Sequence, residues 1–120
     1  MVTPVPLIHS KPTFGYCFDV AGQRIAYLTD TKGLPPATEE FLCASGVDLL
    51  IVDCSYPPGT TQAGHNNLDD VLSLLQRVQP RSLVLTHIGH AMDQWLLKHA
   101  DSLPAQVQIG RDGAVVFEHE

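Results

Sequence analysis

Leu83-Val84-Leu85-Thr86-His87-Ile88-Gly89-His90 is the stretch on which the fold turns. Leu83-Val84-Leu85 is continuously apolar and reads as a buried strand. The run stops on His87, with Gly89 just before His90, and a helical pattern starts at about Ala91. A strand that ends on histidine and passes into a helix places an imidazole at the carboxyl edge of a sheet. In open α/β architectures that edge is where ligands bind.

Working outward, the same form recurs. Val47 to Val52 is apolar apart from Asp48 and ends at Asp53-Cys54-Ser55. Arg24 to Thr29 ends on Asp30, and Leu7-Ile8, a short strand or edge segment limited by Pro4 and Pro6, leads to His9. Phe14, Tyr16, Phe18 and Val20 alternate at period two, and Ala21-Gly22-Gln23 reads as a hairpin turn into the strand at Arg24. Helices are predicted from Pro36 to about Ala44, from Leu68 to Val78 behind Asn67 as N-cap, and from about Ala91 to His99. Their apolar faces carry Leu68, Val71, Leu72, Leu75 and Val78 in the second, and Met92, Trp95 and Leu96 in the third. Two closing strands, Gln106–Ile109 and Ala114–Phe117, flank an Arg111-Asp112-Gly113 hairpin signal.

The predicted order is therefore β-β-β-α-β-α-β-α-β-β in one domain over residues 1–120. The expected class is α/β, with one mixed sheet and helices on one face. Strands as apolar as Leu49–Val52 and Leu83–Leu85 belong in a sheet covered on both faces, and the helices here suffice for one. The chain thus reads as half of a larger arrangement, or as a protomer that buries a sheet face against a partner.

The formal net charge is −6, and only seven Lys and Arg are spread along the chain, so no basic face for nucleic acid is expected. An acidic balance does not exclude a phosphorylated substrate, because a bound cation reverses the local sign. Three cysteines without a C-x-x-C pair argue against a disulfide framework and fit a reducing, cytoplasmic setting. Cys17 and Cys43 are expected to be buried as small hydrophobes. No apolar run is long enough to span a membrane, and the N-terminus lacks the form of a signal peptide.

Six histidines are the feature that points to chemistry. His9, Asp30 and His87 lie just past strand ends, His65 lies in the long loop after Ser55, and Asp53 and His90 are beside them. Histidine with carboxylate is the normal ligand set for Zn, Mn or Fe. Each residue also has a plainer reading. A histidine after a strand is commonly a hydrogen-bonded turn residue, Asp30 and Asp53 suit Asx-turns, and His65 could help cap the following helix. His99 and His119 read as surface residues.

Five segments occur in one order along the chain: P-L-I-H-S-K-P-T-F-G-Y (Pro6–Tyr16), Y-L-T-D-T-K-G-L-P (Tyr27–Pro35), V-D-C-S-Y-P-P (Val52–Pro58), G-H-N-N-L-D-D-V-L (Gly64–Leu72) and L-T-H-I-G-H-x-x-D-x-W-L (Leu85–Leu96). Together they resemble the C-terminal half of the metallo-β-lactamase-fold phosphoribosyl 1,2-cyclic phosphate phosphodiesterases that act after carbon–phosphorus lyase in phosphonate breakdown. The resemblance implies half of an αββα sandwich. It implies His9, Asp30 and His87 as ligands of a catalytic metal pair, with Asp30 bridging. It further implies His65 as a general acid or phosphate-binding group at the scissile phosphodiester, and His90 as a ligand of a separate structural zinc. The family's H-x-H-x-D-H motif and the cysteine cluster of its structural zinc do not occur in this chain. The expectation is a phosphodiesterase half that holds Mn or Zn weakly or not at all alone, and is inactive without a complementing half. The alternatives are a homodimeric metallohydrolase with pooled ligands, or a non-catalytic binding or scaffold module.

Overall fold

The computed structural model describes residues 1–60 and 64–110. Among these residues, six strands form one sheet in sequence order: β1 (Val2–Leu7), β2 (Thr13–Val20), β3 (Gln23–Leu28), β4 (Leu49–Asp53), β5 (Ser82–Thr86) and β6 (Val107–Ile109). The helices are α1 (Pro36–Ser45), α2 (Leu68–Val78) and α3 (His90–His99), the last followed by a short 3-10 turn. The sheet is mixed. β2 runs antiparallel to both β1 and β3, and β3 through β6 are parallel neighbours.

Each parallel step needs a crossover, and right-handed crossovers taken in one direction across a sheet leave their helices on one face. That face carries Val5, Leu7, Cys17, Ala26, Leu28, Leu50, Val52, Leu83 and Leu85. They form one core with Leu42 of α1, Val71, Leu74, Leu75 and Val78 of α2, and Met92 and Leu96 of α3. The predicted α/β class and one-sided helices are therefore observed.

The other face differs. Tyr16 pairs with Tyr27 and with Pro4, and Phe14 pairs with Pro6, so these side chains share a face. Phe14, Tyr16 and Tyr27 are 54%, 44% and 43% exposed. The period-two aromatic stripe of β2 thus points away from the helices, and Gly15 and Cys17 point toward them.

Several local expectations are refined. β1 is a full strand from Val2, not a short one at Leu7-Ile8. It is an edge strand, and period two puts the nitrogens of Pro4 and Pro6 on the same side, which can be the open one. The hairpin between β2 and β3 has a two-residue turn, Ala21 (φ 51) and Gly22 (φ 82), the left-handed pair that matches strand twist. Val47 and Asp48 precede β4, and Asp48 Oδ2 accepts the Arg24 amide at 2.8 Å. Asn67 caps α2 as expected, within a reciprocal box closed by Asp70. Cys43 corrects its expectation: it is exposed, because α1 buries Thr38 and Leu42, four residues apart, and position 43 turns outward. The predicted Ala114–Phe117 strand, its Asp-Gly turn and His119 lie outside the described residues.

Candidate metal centre

Because β1, β3, β4 and β5 run the same way, their carboxyl ends share one edge. His9 comes two residues after β1, Asp30 two after β3, Asp53 ends β4 and His87 follows β5. Sequence-distant residues are thus brought together by topology alone. The long loop after β4 returns His65 to the same edge.

The backbone is bent to aim two of these side chains. Asp30 has φ 57 and His87 has φ 54, both left-handed and neither glycine. Such residues are sparsely populated and cluster at functional sites. Here they turn the chain sharply at the ends of β3 and β5, leaving the His87 Nδ1 3.8 Å from Asp30 Oδ1. Asp30, His65 and His87 each offer one ligand atom, all within 4.8 Å of one another. Two bonds of ~2.1 Å at a tetrahedral cation span about 3.4 Å. The carboxylate and imidazole donors therefore fit a divalent cation with small side-chain adjustment.

His65 is the most constrained of the set. Its ring stacks on His87 with centroids 4.8 Å apart and meets His9 edge-on at 5.3 Å. Its Nδ1 lies 2.5 Å from Asp53 Oδ2. Asp53 is fully buried and also accepts from Ser55 Oγ at 2.7 Å and from the Thr31 amide at 3.3 Å. An ionised carboxylate only accepts, so Nδ1 carries the proton and Nε2 is left for the site. The support continues outward. Asn66, fully buried, donates to the Asp53 carbonyl at 2.9 Å and accepts the Gly33 amide at 2.7 Å. Thr31 accepts from the Ile8 amide at 3.1 Å, which ties the Asp30 turn to the His9 segment.

His9 stands beside the donor triad rather than within it, with Nδ1 3.0 Å from the Gly64 carbonyl oxygen. Gly64 has φ 86, and a Cβ there would lie 2.8 Å from His9 Nδ1. Gly89 is equally tight, since its Cβ would lie 2.6 Å from the Ser55 carbonyl oxygen that accepts its own amide. His90 is exposed, opens α3 and lines a neighbouring cavity with Asp93, Leu96 and Ile109, which shares Ile88 and Gly89 with the His65–His87 cavity but is lined by neither of those histidines. The structure therefore groups Asp30, His65 and His87, places His9 alongside, and sets His90 apart.

Sequence reasoning named Asp53 only as a neighbour of the candidate set. The available signal was a carboxylate ending an apolar strand, where burial demands strong partners. Asn66 and Thr31 gave no such signal. Burial pushes the Cys54 thiol, next in sequence, up to about 12, with Asp53 and Asp70 adding to the shift.

A family model for the beta-lactamase superfamily domain matches residues 1–88. The chain is similar to a ribonuclease Z of Macrococcus caseolyticus, 26% identical over 73 residues, which is 58% of this chain and 23% of that protein. Among solved structures it is similar to a diphosphatase of the PhnP family, 32% identical with TM-score 0.77, covering 98% of this chain and 43% of that one. It also resembles the metallo-β-lactamase-fold protein YhfI of Bacillus subtilis, at 23% identity and TM-score 0.76, over 94% of this chain and 47% of that one, a likeness of fold alone. The chain thus spans less than half the length of each of these relatives. Matched over most of its length and carrying histidine and aspartate donors at the carboxyl edge of its sheet, the chain belongs to the beta-lactamase superfamily.

Proposed function

We propose that the chain supplies the Asp30, His65 and His87 side of a metal-dependent phosphodiesterase centre that hydrolyses a small cyclic phosphodiester, phosphoribosyl 1,2-cyclic phosphate being the substrate its motifs favour. The carrying observation is the donor triad at one sheet edge, with His65 fixed by buried Asp53. Similarity to a ribonuclease Z and to a diphosphatase supports chemistry at phosphorus.

Asp30 and His87 would hold the cation, with His9 close enough to join them after a side-chain movement. A divalent cation at such a site neutralises phosphoryl charge and makes a water more acidic, here Mn or Zn by donor type. His65 presents Nε2 toward the same space, with Nδ1–H committed to Asp53. When it carries a proton on Nε2 it can give that proton to a leaving oxygen. The bond to Asp53 fixes the ring plane, so the proton is delivered from one direction.

Three donors do not enclose two cations. The remaining ligands belong on a second sheet laid against the exposed Phe14, Tyr16 and Tyr27 face, which ends at the same edge as the donors. A complementing half with its own histidines is the favoured occupant, and a second copy of this chain is the alternative. Titration with Mn²⁺ or Zn²⁺ followed by calorimetry tests the site. Weak binding that disappears in Asp30→Ala and His87→Ala is expected, and unchanged metal content in both variants would overturn it. Light scattering decides the alternative, because a strict monomer at micromolar concentration excludes pooled ligands. Robust turnover of a cyclic phosphodiester by the monomer with Mn²⁺ would refute the need for a partner.

A further inference from the structure

β4 and β5 pair in parallel as far as Asp53 and Thr86, and Cys54 adds a last backbone rung by donating to the Thr86 carbonyl at 2.9 Å. One residue further, His87 takes its left-handed conformation and the ladder ends. Its carbonyl is met there by a side chain: Ser55 Oγ donates to the His87 carbonyl oxygen at 2.9 Å.

Ser55 is tied to both histidine segments. Its amide donates to the carbonyl of Asn66, the residue after His65, at 3.0 Å. Its carbonyl accepts the amide of Gly89, two residues after His87, at 3.1 Å. Its hydroxyl reaches the Asp53 carboxylate at 2.7 Å as well as the His87 carbonyl, and Asp53 in turn holds His65. The residue is only 5% exposed, so water has little access to these groups.

The hydroxyl has one proton and faces two acceptors. The two oxygens share that proton in a three-centre bond, and a movement of either changes the pull on the other. On one arm lies the carboxylate that orients His65. On the other lies the backbone from which the His87 ring projects. The two rings stack 4.8 Å apart and 12° from parallel, so a small displacement of either arm alters the separation of their ligand nitrogens.

We propose that Ser55 is a positioning residue of this centre, its hydroxyl setting the distance and angle between the His65 and His87 rings. It acts through Asp53 and the His87 backbone, not by contact with the cation. The proposal rests on Asp30, His65 and His87 being the metal centre. Thr38 supplies an internal contrast. Its Oγ1 donates to the Pro6 carbonyl at 2.6 Å and the residue is 1% exposed. It makes the same kind of bond, between α1 and β1, with no part in the donor set.

The first measurement uses metal-free protein, so its outcome is separate from that of the metal reading. Histidine ring resonances are followed by long-range ¹H–¹⁵N correlation at pH 7.5. Ser55→Ala should move the rings of both His65 and His87. It should leave His99, whose Nδ1 is bonded within α3, in place. Ser55→Thr keeps a hydroxyl and should return both rings toward their parent positions. The second measurement is Mn²⁺ affinity. Ser55→Ala should weaken it about tenfold to a hundredfold, the usual effect of removing a group that orients a metal ligand. Ser55→Thr should keep it, and Thr38→Ala should bind as the parent does although it melts lower. Ser55→Cys, close in size and a weak donor, carries the same expectations should the alanine variant fail to fold. A parent that binds no metal overturns the centre, and the ring shifts still decide whether Ser55 sets the two rings. Unmoved rings in Ser55→Ala, movement of only one of the two, rings left displaced in Ser55→Thr, or an equal loss of Mn²⁺ affinity in Thr38→Ala would each overturn the proposal.

Discussion

His65 Nδ1 sits 2.5 Å from an Asp53 oxygen that has no exposure to solvent. A buried carboxylate is costly unless fully bonded, and Asp53 meets that requirement through His65, Ser55 and the Thr31 amide. The pair fixes one tautomer of His65. Asp53→Asn should let the other tautomer appear, read from the ring nitrogens by long-range ¹H–¹⁵N correlation. A parent protein with its neutral proton on Nε2 would refute the assignment. Asp53→Ala removes the acceptor of the Thr31 amide and of the His65 Nδ1–H, while the Ser55 hydroxyl keeps the His87 carbonyl, and a loss of about 1–3 kcal/mol is expected in urea unfolding.

The left-handed turns at Asp30 and His87 carry a stability cost that the site retains. His87→Gly and His87→Ala both delete the imidazole, but only glycine fits φ 54 without strain. The glycine variant should be the more stable of the two by about 1 kcal/mol, and both should lose the metal response. Equal stabilities would mean that the turn relaxes when the side chain is gone.

Gly64 and Gly89 are predicted to reject even a methyl group. At Gly64 alanine meets both a φ of 86 and the His9 ring. At Gly89 it meets the Ser55 carbonyl oxygen, which is backbone and cannot swing away. Each alanine variant should be destabilised by about 1–2 kcal/mol. The His9 ring resonances should shift in Gly64→Ala and stay in place in Gly89→Ala.

The cysteines should divide by exposure. Cys17 and Cys54 are buried and Cys43 is exposed. Iodoacetamide at pH 8 should label Cys43 alone in the native protein, and all three in urea, as counted by mass spectrometry. The Cys54 thiol, raised to about 12 in the fold from 9.0, favours folding fully below pH 9. That contribution is lost progressively as pH rises from 9 toward 12, because the unfolded thiol ionises first. Stability should therefore fall with alkaline pH, and less steeply in Cys54→Ala.

Much of this protein is legible along the chain. The apolar runs at Leu49–Val52 and Leu83–Leu85, the Asn67 cap and the period of α2 fix strands and helices, because burial and capping are local patterns. The rule that ligands sit past strand ends made His9, Asp30 and His87 candidates, and the structure brings Asp30 and His87 together with His65 while His9 stands beside them. What the order of residues leaves open is which of these meet. Only the shared direction of β1, β3, β4 and β5, and the left-handed bends after β3 and β5, bring Asp30, His65 and His87 within one cation's reach. The same holds for Asp53: a strand-ending aspartate has several local uses, and only the return of the loop carrying His65 makes it the anchor of an imidazole. The β2 stripe shows the converse limit. Period two revealed a two-faced strand, and the packing of the helices into one core with Cys17 left Phe14 and Tyr16 on the opposite face.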